Sequence, residues 1–561
     1  MTVIEKITSI LSKAPYSLSP EGIEWVAQTM ASLTERQKIA QLINVQLLPN
    51  DKQMQEEAIQ QQVGAVTVLN FASPETCQDV IRRVKSASTI PPLVCADLEG
   101  GVTSGNLTSS FPNQLACAAA NNIDLYGQSL DVLAKELLSI GVNWTFSPVL
   151  DVNQAFQSAI VGTRSYGTNQ KLISEMADEH IRIFQKRLIA TTAKHWPGEG
   201  FDSRDQHLVT TINPLSMDEW QSIFGQLYKR AIETGVTSIM SAHIALPAFA
   251  QSKGDTGVDL YKPASISSHL NKTLLRDELN FNGLIISDAT LMGGLESWGP
   301  RIEWLPALIQ NGCDMILFTN SVKTDIDTLV SALNSGALSQ VRLDEALIRV
   351  LGLKAVVELH RPMELSEFSQ VLIDKEMHRA VLSELSDKSI TLVKDTQRVL
   401  PIDKKTIQKV LIFKEENFNP LGGGEDFCLQ LDKLLIAEGF EVHVFDTKND
   451  NLEGYLKYDL IIYALAQESQ LTKSRLFLDW AKIHGGTMQG MRRLWWDKPT
   501  ILISFGHPYY LYDAPRMPCL INAYTPIPAV QAAVVEKLLG RSPFFGQNPI
   551  DPFCELPDAI Y

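Results

Sequence analysis

Short runs of apolar and β-branched residues alternate, over the first 320 residues, with longer segments whose apolar positions recur every three or four residues. The short runs read as strands buried on both faces, and the longer segments as helices laid against them. Eight runs stand out, at 41–46, 65–70, 93–97, 146–152, 190–195, 238–243, 284–288 and 314–318. Helical segments at 125–140, 171–187, 216–234 and 268–279 lie between them. Eight strands with intervening helices predict an α/β fold of the (β/α)8 TIM-barrel type, about 250 residues in its basic form and longer with insertions. A doubly wound open sheet is the alternative, but no Gly-x-Gly-x-x-Gly follows any of the runs,.

A helical stretch at 343–359 closes this half, and a polar segment at 360–368 leads into another helix at 374–386. A second series then follows, with strands at 390–394, 410–413, 442–445, 460–465, 500–505 and 520–524 and helices near 427–438 and 529–539. It predicts a smaller αβα sandwich. The division expected is 1–372 for the barrel and 373–561 for the sandwich. Gly422-Gly423-Gly424 has neither a preceding strand nor a following Lys-Ser/Thr, so it reads as a loop and not a phosphate cradle,.

Composition narrows the class. Apolar residues make up 45% and charged residues 20% of the 561, which excludes collagen-like and wholly disordered chains,. With 49 basic against 64 acidic residues the net charge is −15, a poor match for nucleic acid or an anionic membrane,. Seven scattered cysteines form no CxxC pair, so neither a zinc knuckle nor a disulfide framework is expected,. Residues 1–13 lack the apolar core of a signal peptide, and no apolar run is long enough for a membrane span,. A reducing cytoplasm is the expected location.

The chemistry collects at the ends of the predicted barrel strands, where barrel enzymes build their sites. Those ends read Ala96-Asp97, Leu150-Asp151, Lys194-His195, Ala242-His243 and Ser287-Asp288. One ionisable residue after an apolar strand is an ordinary cap. Five converging on one face predict a catalytic ring. After the fifth strand runs Lys194-His195-Trp196-Pro197-Gly198-Glu199-Gly200-Phe201-Asp202-Ser203-Arg204-Asp205-Gln206-His207. Its Pro and Gly demand a loop, and Asp205 and His207 flank one residue, a spacing that lets a carboxylate hold an imidazole nitrogen.

These segments resemble glycoside hydrolase family 3, and within it the β-N-acetylglucosaminidase branch, whose Lys-His-Phe-Pro-Gly-His-Gly segment precedes an Asp-x-His. This chain carries Trp196 for the Phe, which keeps an aromatic wall, and Glu199 for the second His, which changes the local charge. Residues 30–42 are similar to the family's opening helix, and Asp97-Leu98-Glu99-Gly100-Gly101 to its Asp-x-Glu-Gly-Gly. Phe146-Ser147-Pro148-Val149-Leu150-Asp151-Val152, Arg164-Ser165-Tyr166-Gly167 and Ile286-Ser287-Asp288-Ala289 match further signatures in order. Residues 389–394 and 504–509 resemble the family's accessory α/β domain.

The resemblance implies a retaining hydrolase that removes terminal β-linked N-acetylglucosamine from peptidoglycan-derived or other amino-sugar oligosaccharides. It makes Asp288 the nucleophile, His207 the acid/base and Asp205 its orienting partner. Asp97, Arg164, Lys194 and His195 would hold the sugar, and neither a metal nor another cofactor is implied. The chemistry is apt: a carboxylate accepts from hydroxyls, Arg and Lys donate charge-assisted bonds, and an imidazole titrates near neutrality. A neutral acid/base repels phosphate less than a carboxylate does, so a phosphorylase at the same site is the first alternative. A metal-dependent barrel hydrolase using His195, His207, His243 and Asp288 and a non-catalytic sugar-binding protein are the others. Residues 375–561 are expected to contribute stability or contacts to the leaving group, not chemistry.

Overall fold

The computed structural model describes residues 2–101, 107–361, 374–416 and 428–561. Eight parallel strands close a barrel: β1 (Ile43–Leu47), β2 (Ala65–Val68), β3 (Leu93–Ala96), β4 (Trp144–Thr145), β5 (Ala190–Trp196), β6 (Ser238–Ser241), β7 (Leu284–Ala289) and β8 (Met315–Leu317). Each pairs with its sequence neighbours, and β1 meets β8 through Ile43 and Ile316 to shut the cylinder. The strands are buried along almost their whole length, as parallel strands covered by helices must be,. A polar layer inside is internally satisfied. Trp144 Nε1 donates to Thr192 Oγ1 at 2.8 Å and to Ser238 Oγ at 2.9 Å, and Thr67 Oγ1 donates to Asn44 Oδ1 at 2.9 Å,.

The fourth strand departs from the sequence expectation. The regular strand is the two-residue Trp144–Thr145, and the chain then runs on beside β5 with irregular bonds: the Thr192 and Lys194 amides donate to the Ser147 and Pro148 carbonyls, and the Leu150 amide donates to the Lys194 carbonyl. Pro148 sits inside this apolar run and has no N–H to give a ladder. The run is apolar because it is buried beside the site, not because it is a strand. The helical segments at 216–234 and 268–279 are present but wound partly or wholly as π-helix, over Gln221–Gly225 and His269–Glu278.

The second series forms a six-stranded sheet: β9 (Thr391–Asp395), β10 (Lys409–Glu416), β11 (Glu441–Val444), β12 (Leu460–Ala466), β13 (Thr500–Ser504) and β14 (Cys519–Asn522). Its order is β9-β14-β13-β12-β10-β11, with only β9 antiparallel to its neighbour. Side chains alternate between two apolar layers. Ile412, Ile462 and Ile503 face one, Phe413, Tyr463 and Leu502 the other,. The expected division at 372 and the Gly422-Gly423-Gly424 loop lie outside the described residues. The two sheets share a third apolar cluster, in which Leu115, Ala116 and Ala119 from the barrel side meet Tyr509, Tyr524 and Ile550.

Candidate active site

The strand ends open into one cavity of about 310 Å³. Asp97, Arg164, Lys194, His195, His207 and Asp288 all line it, so the structure brings together six of the seven predicted site residues. The seventh, Asp205, stands behind His207 and is buried. Larger hollows of about 1040 and 610 Å³ lie elsewhere, and none of these residues reaches them.

The loop after β5 is shaped by its glycines. Gly200 has φ +114°, and a Cβ there would lie 1.8 Å from the Val152 carbonyl oxygen. Only glycine permits that approach. The loop thereby returns Asp205 and His207 to the cavity. Asp205 Oδ1 takes the His207 Nδ1–H at 2.7 Å and the His207 amide at 2.9 Å. Thr472, from the loop beyond β12, donates its amide to Asp205 Oδ2 at 2.8 Å.

His195 and His207 line the cavity and His243 lies just behind Ala289, and their partners separate the three imidazoles. His195 accepts from the Arg164 guanidinium at Nε2 (3.1 Å), so it donates from Nδ1 to Asp151 Oδ2 at 2.6 Å,. His243 donates from Nε2 to the Ala289 carbonyl at 3.0 Å and meets Ser265 Oγ at Nδ1. Burial pushes its pKa down. Both rings are fully engaged. His207 alone keeps Nε2 without a partner among the described residues, on a side chain about one-fifth exposed. Of the three rings it is the one with a nitrogen left open.

Asp288 closes β7. Its Oδ1 accepts the Ala289 amide at 2.7 Å, and its Oδ2 is buried without a partner. Burial works to raise its pKa, but the rings of His195, His243 and His207 and the Ala289 amide hold it below the usual carboxylate value,. It is an ionised carboxylate with one oxygen unspent.

On the other wall Glu99, two residues after Asp97, organises the cations. It accepts from Arg164 at 2.6 and 2.9 Å and from Lys194 at 2.6 Å, while Lys194 also meets Asp97 at 2.8 Å. Burial opposes the Glu99 charge, yet Arg164 and Lys194 hold its pKa well down. Asp97 stays about one-third exposed and open to a ligand.

Two expectations are corrected. Trp196 is no wall of the cavity. It is wholly buried behind β5, edge-on to Trp220 and Tyr228. Alternation explains this: the side chain after His195 points to the opposite face of the strand. The alternative metal set of His195, His207, His243 and Asp288 is not gathered either, since the nitrogens of His195 and His243 are already hydrogen-bonded. Among the described residues the donors that do cluster are Asp151, His195 and Glu199, all buried. Asp151 is already saturated by His195 and the Glu199 amide (2.9 Å), and Glu199 accepts from Gln206 at 3.1 Å. These bonds make the cluster a hydrogen-bonded support for His195.

Comparison with known proteins agrees with this architecture. Residues 34–353 match the glycosyl hydrolase family 3 N-terminal domain. A β-N-acetylglucosaminidase/β-glucosidase of Cellulomonas fimi is 33% identical over 97% of this chain and 98% of its own. The solved structure of β-glucoside phosphorylase BglX is 35% identical, with a TM-score of 0.89 over 98% of this chain and 100% of that one. A family 3 β-N-acetylglucosaminidase from Paenibacillus sp. str. FPU-7 shares the fold at 23% identity, with a TM-score of 0.80 over 94% and 100% of the two chains. The chain belongs to glycosyl hydrolase family 3 and is a glycosidase.

Proposed function

We propose that the protein releases a terminal β-linked N-acetylglucosamine from small amino-sugar oligosaccharides, peptidoglycan fragments among them, with retention at the anomeric carbon. One observation carries the reading: the unpartnered Oδ2 of Asp288 and the unpartnered Nε2 of His207 belong to residues that line one cavity of about 310 Å³. Oδ2 attacks the anomeric carbon while protonated His207 gives its Nε2 proton to the departing oxygen. In the second step neutral His207 takes a proton from water, which displaces Asp288 from the same carbon. Two inversions restore the β-configuration. Asp97 accepts from the sugar's hydroxyls, and Arg164 and Lys194 donate to them, each cation keeping Glu99 as its counter-charge. The names of the relatives extend the reading to β-glucosides. The seven unpaired cysteines fit a reducing compartment such as the cytoplasm,.

A second reading has a specific observation behind it. The proton-transfer group is an imidazole and not a carboxylate, so an incoming phosphate meets no anion at that position,. The likeness to BglX along the whole chain supports it. One experiment tests both. The enzyme is incubated with nitrophenyl N-acetyl-β-glucosaminide and nitrophenyl β-glucoside, with and without phosphate. Free sugar as the main product in both buffers supports hydrolysis. Sugar 1-phosphate, with release accelerated by phosphate, establishes phosphorolysis. A clear preference for the plain glucoside overturns the N-acetyl assignment.

A further inference from the structure

The loop that follows β12 does not end at its own sheet. Its base is fixed there, where Tyr510 donates to Gln467 Oε1 at 2.6 Å and the His507 amide donates to the Gln467 carbonyl at 2.7 Å. Its middle is fastened to the barrel. Ser469 Oγ accepts the Thr163 amide at 2.9 Å, the Ser469 amide donates to Thr163 Oγ1 at 3.0 Å, and the Gln470 amide donates to the Ala159 carbonyl at 2.8 Å. The fit depends on Gly162, where a Cβ would lie 2.7 Å from Ser469 Oγ. The loop's far end supplies the Thr472 amide to Asp205 Oδ2, and Ser469, Leu471 and Thr472 line the cavity. Thr472 has φ +60°, a left-handed conformation uncommon for a residue other than glycine, asparagine or aspartate,.

From this the geometry points to segment 467–472 as a positioning element for the acid/base pair: the Thr472 amide orients the carboxylate that orients His207. The inference rests on His207 being the acid/base. Asp205 is buried and has two oxygens. With Oδ2 pinned by Thr472, Oδ1 is left aimed at His207 Nδ1, which fixes the tautomer that presents Nε2 to the cavity. Without that pin Oδ1 keeps only the two bonds from His207 itself, ring and amide, and the carboxylate loses the outside anchor that sets its plane. The same segment braces Thr163, next to Arg164, so one loop sets the acid/base on one side of the cavity and a sugar-binding cation on the other. Sequence spacing places the acid/base pair in the barrel alone. The structure gives its orientation to residues more than 260 positions away.

The test compares Thr472→Pro, which removes the amide hydrogen and, with φ locked at about −65°, also gives up the conformation that aims it, with Thr472→Gly, which keeps both. For each, kcat/KM is measured with a nitrophenyl glycoside, whose leaving group needs no proton, and with an alkyl glycoside, whose leaving group does. The full chain is used throughout, and His207→Ala serves as reference. Thr472→Pro is expected to slow the alkyl glycoside about tenfold to a hundredfold more than the nitrophenyl glycoside, part of the 10²–10⁴ typical of general acid catalysis. Thr472→Gly is expected to keep the wild-type ratio between the two substrates. If Thr472→Pro fails to fold, Ser469→Ala, which unfastens the loop but keeps the amide, must show the same split in milder form. An equal loss on both substrates, or none, overturns the positioning role. If His207→Ala itself shows no split, the acid/base reading falls and this inference with it.

Discussion

Asp288 and the amide of its neighbour Ala289 form a 2.7 Å hydrogen bond that fixes one carboxylate oxygen and leaves the other buried and unpartnered in the cavity wall. An unspent lone pair at a strand end is what a nucleophile requires, and nothing in the fold needs it. Asp288→Ala is therefore expected to lower kcat by at least a thousandfold while leaving circular dichroism and the melting midpoint nearly unchanged. Rapid quench of the wild-type enzyme with a slow 2-fluoro sugar should label this residue and no other.

On the proposed mechanism, in which the same ring also activates the acceptor, His207→Ala should leave release of an activated nitrophenolate largely intact in the first step but stall the second. A burst of about one nitrophenolate per enzyme followed by a slow phase is the expected trace. Azide, which needs no base, should restore turnover and yield the β-glycosyl azide. The absence of both burst and rescue would assign the proton to another group.

Glu99 faces two buried cations, Arg164 and Lys194, and its charge is held in place by them. Glu99→Gln removes the shared counter-charge and should cost about 3 kcal/mol of stability, within the range for breaking a buried ion pair. Because the folded pKa of Glu99 is depressed, the stability it contributes is present above about pH 4.3 and lost as pH falls towards the folded value,. The gap between wild type and variant in urea melts should therefore be full at pH 7 and close in acid.

Glu199 carries the opposite sign. Burial, with Asp151, Asp205 and Asp288 nearby, raises its pKa well above the ordinary value, although Arg164 works against this. The folded state then holds a proton that the unfolded chain releases, so stability declines as pH rises above about 4.3. Glu199→Gln, which mimics the protonated form, should match wild type near pH 4 and melt about 2 °C higher or more at pH 8. An unchanged difference across that range would show that Glu199 is ionised in the fold.

Much of this was legible before the structure, and the reasons are local. Asp97, His195 and Asp288 follow apolar strands directly, and the Asp-x-His spacing is confined to three residues. Strand existence was readable for the same reason, since burial on both faces leaves continuous apolar runs. What escaped was whatever depends on packing at a distance. The run at 146–152 is as apolar as a strand and bonds to β5, but Pro148 inside it keeps the pairing irregular,. Trp196 shows its chemistry in the sequence but not the face it occupies. Glu99 was visible as a letter, yet its office depends on Arg164, from the segment after β4, and Lys194, from β5, converging on it. Thr472 gave no sign at all, because a main-chain N–H leaves no trace in composition or periodicity.

The apolar cluster shared by Leu115, Ala116 and Ala119 with Tyr509, Tyr524 and Ile550 bears on how the molecule comes apart. It is stitched by the Asn113 side chain, which donates to the Tyr524 carbonyl at 2.7 Å, and by the Tyr509 hydroxyl, which donates to the Asn153 carbonyl at 3.1 Å. Melting either sheet alone would wet these aromatic rings and strand buried polar groups on the survivor. The barrel and the six-stranded sheet should then lose their order together. A calorimetric scan should give one peak whose van't Hoff and calorimetric enthalpies agree, and two resolved peaks would mean that the seam carries little of the cooperativity.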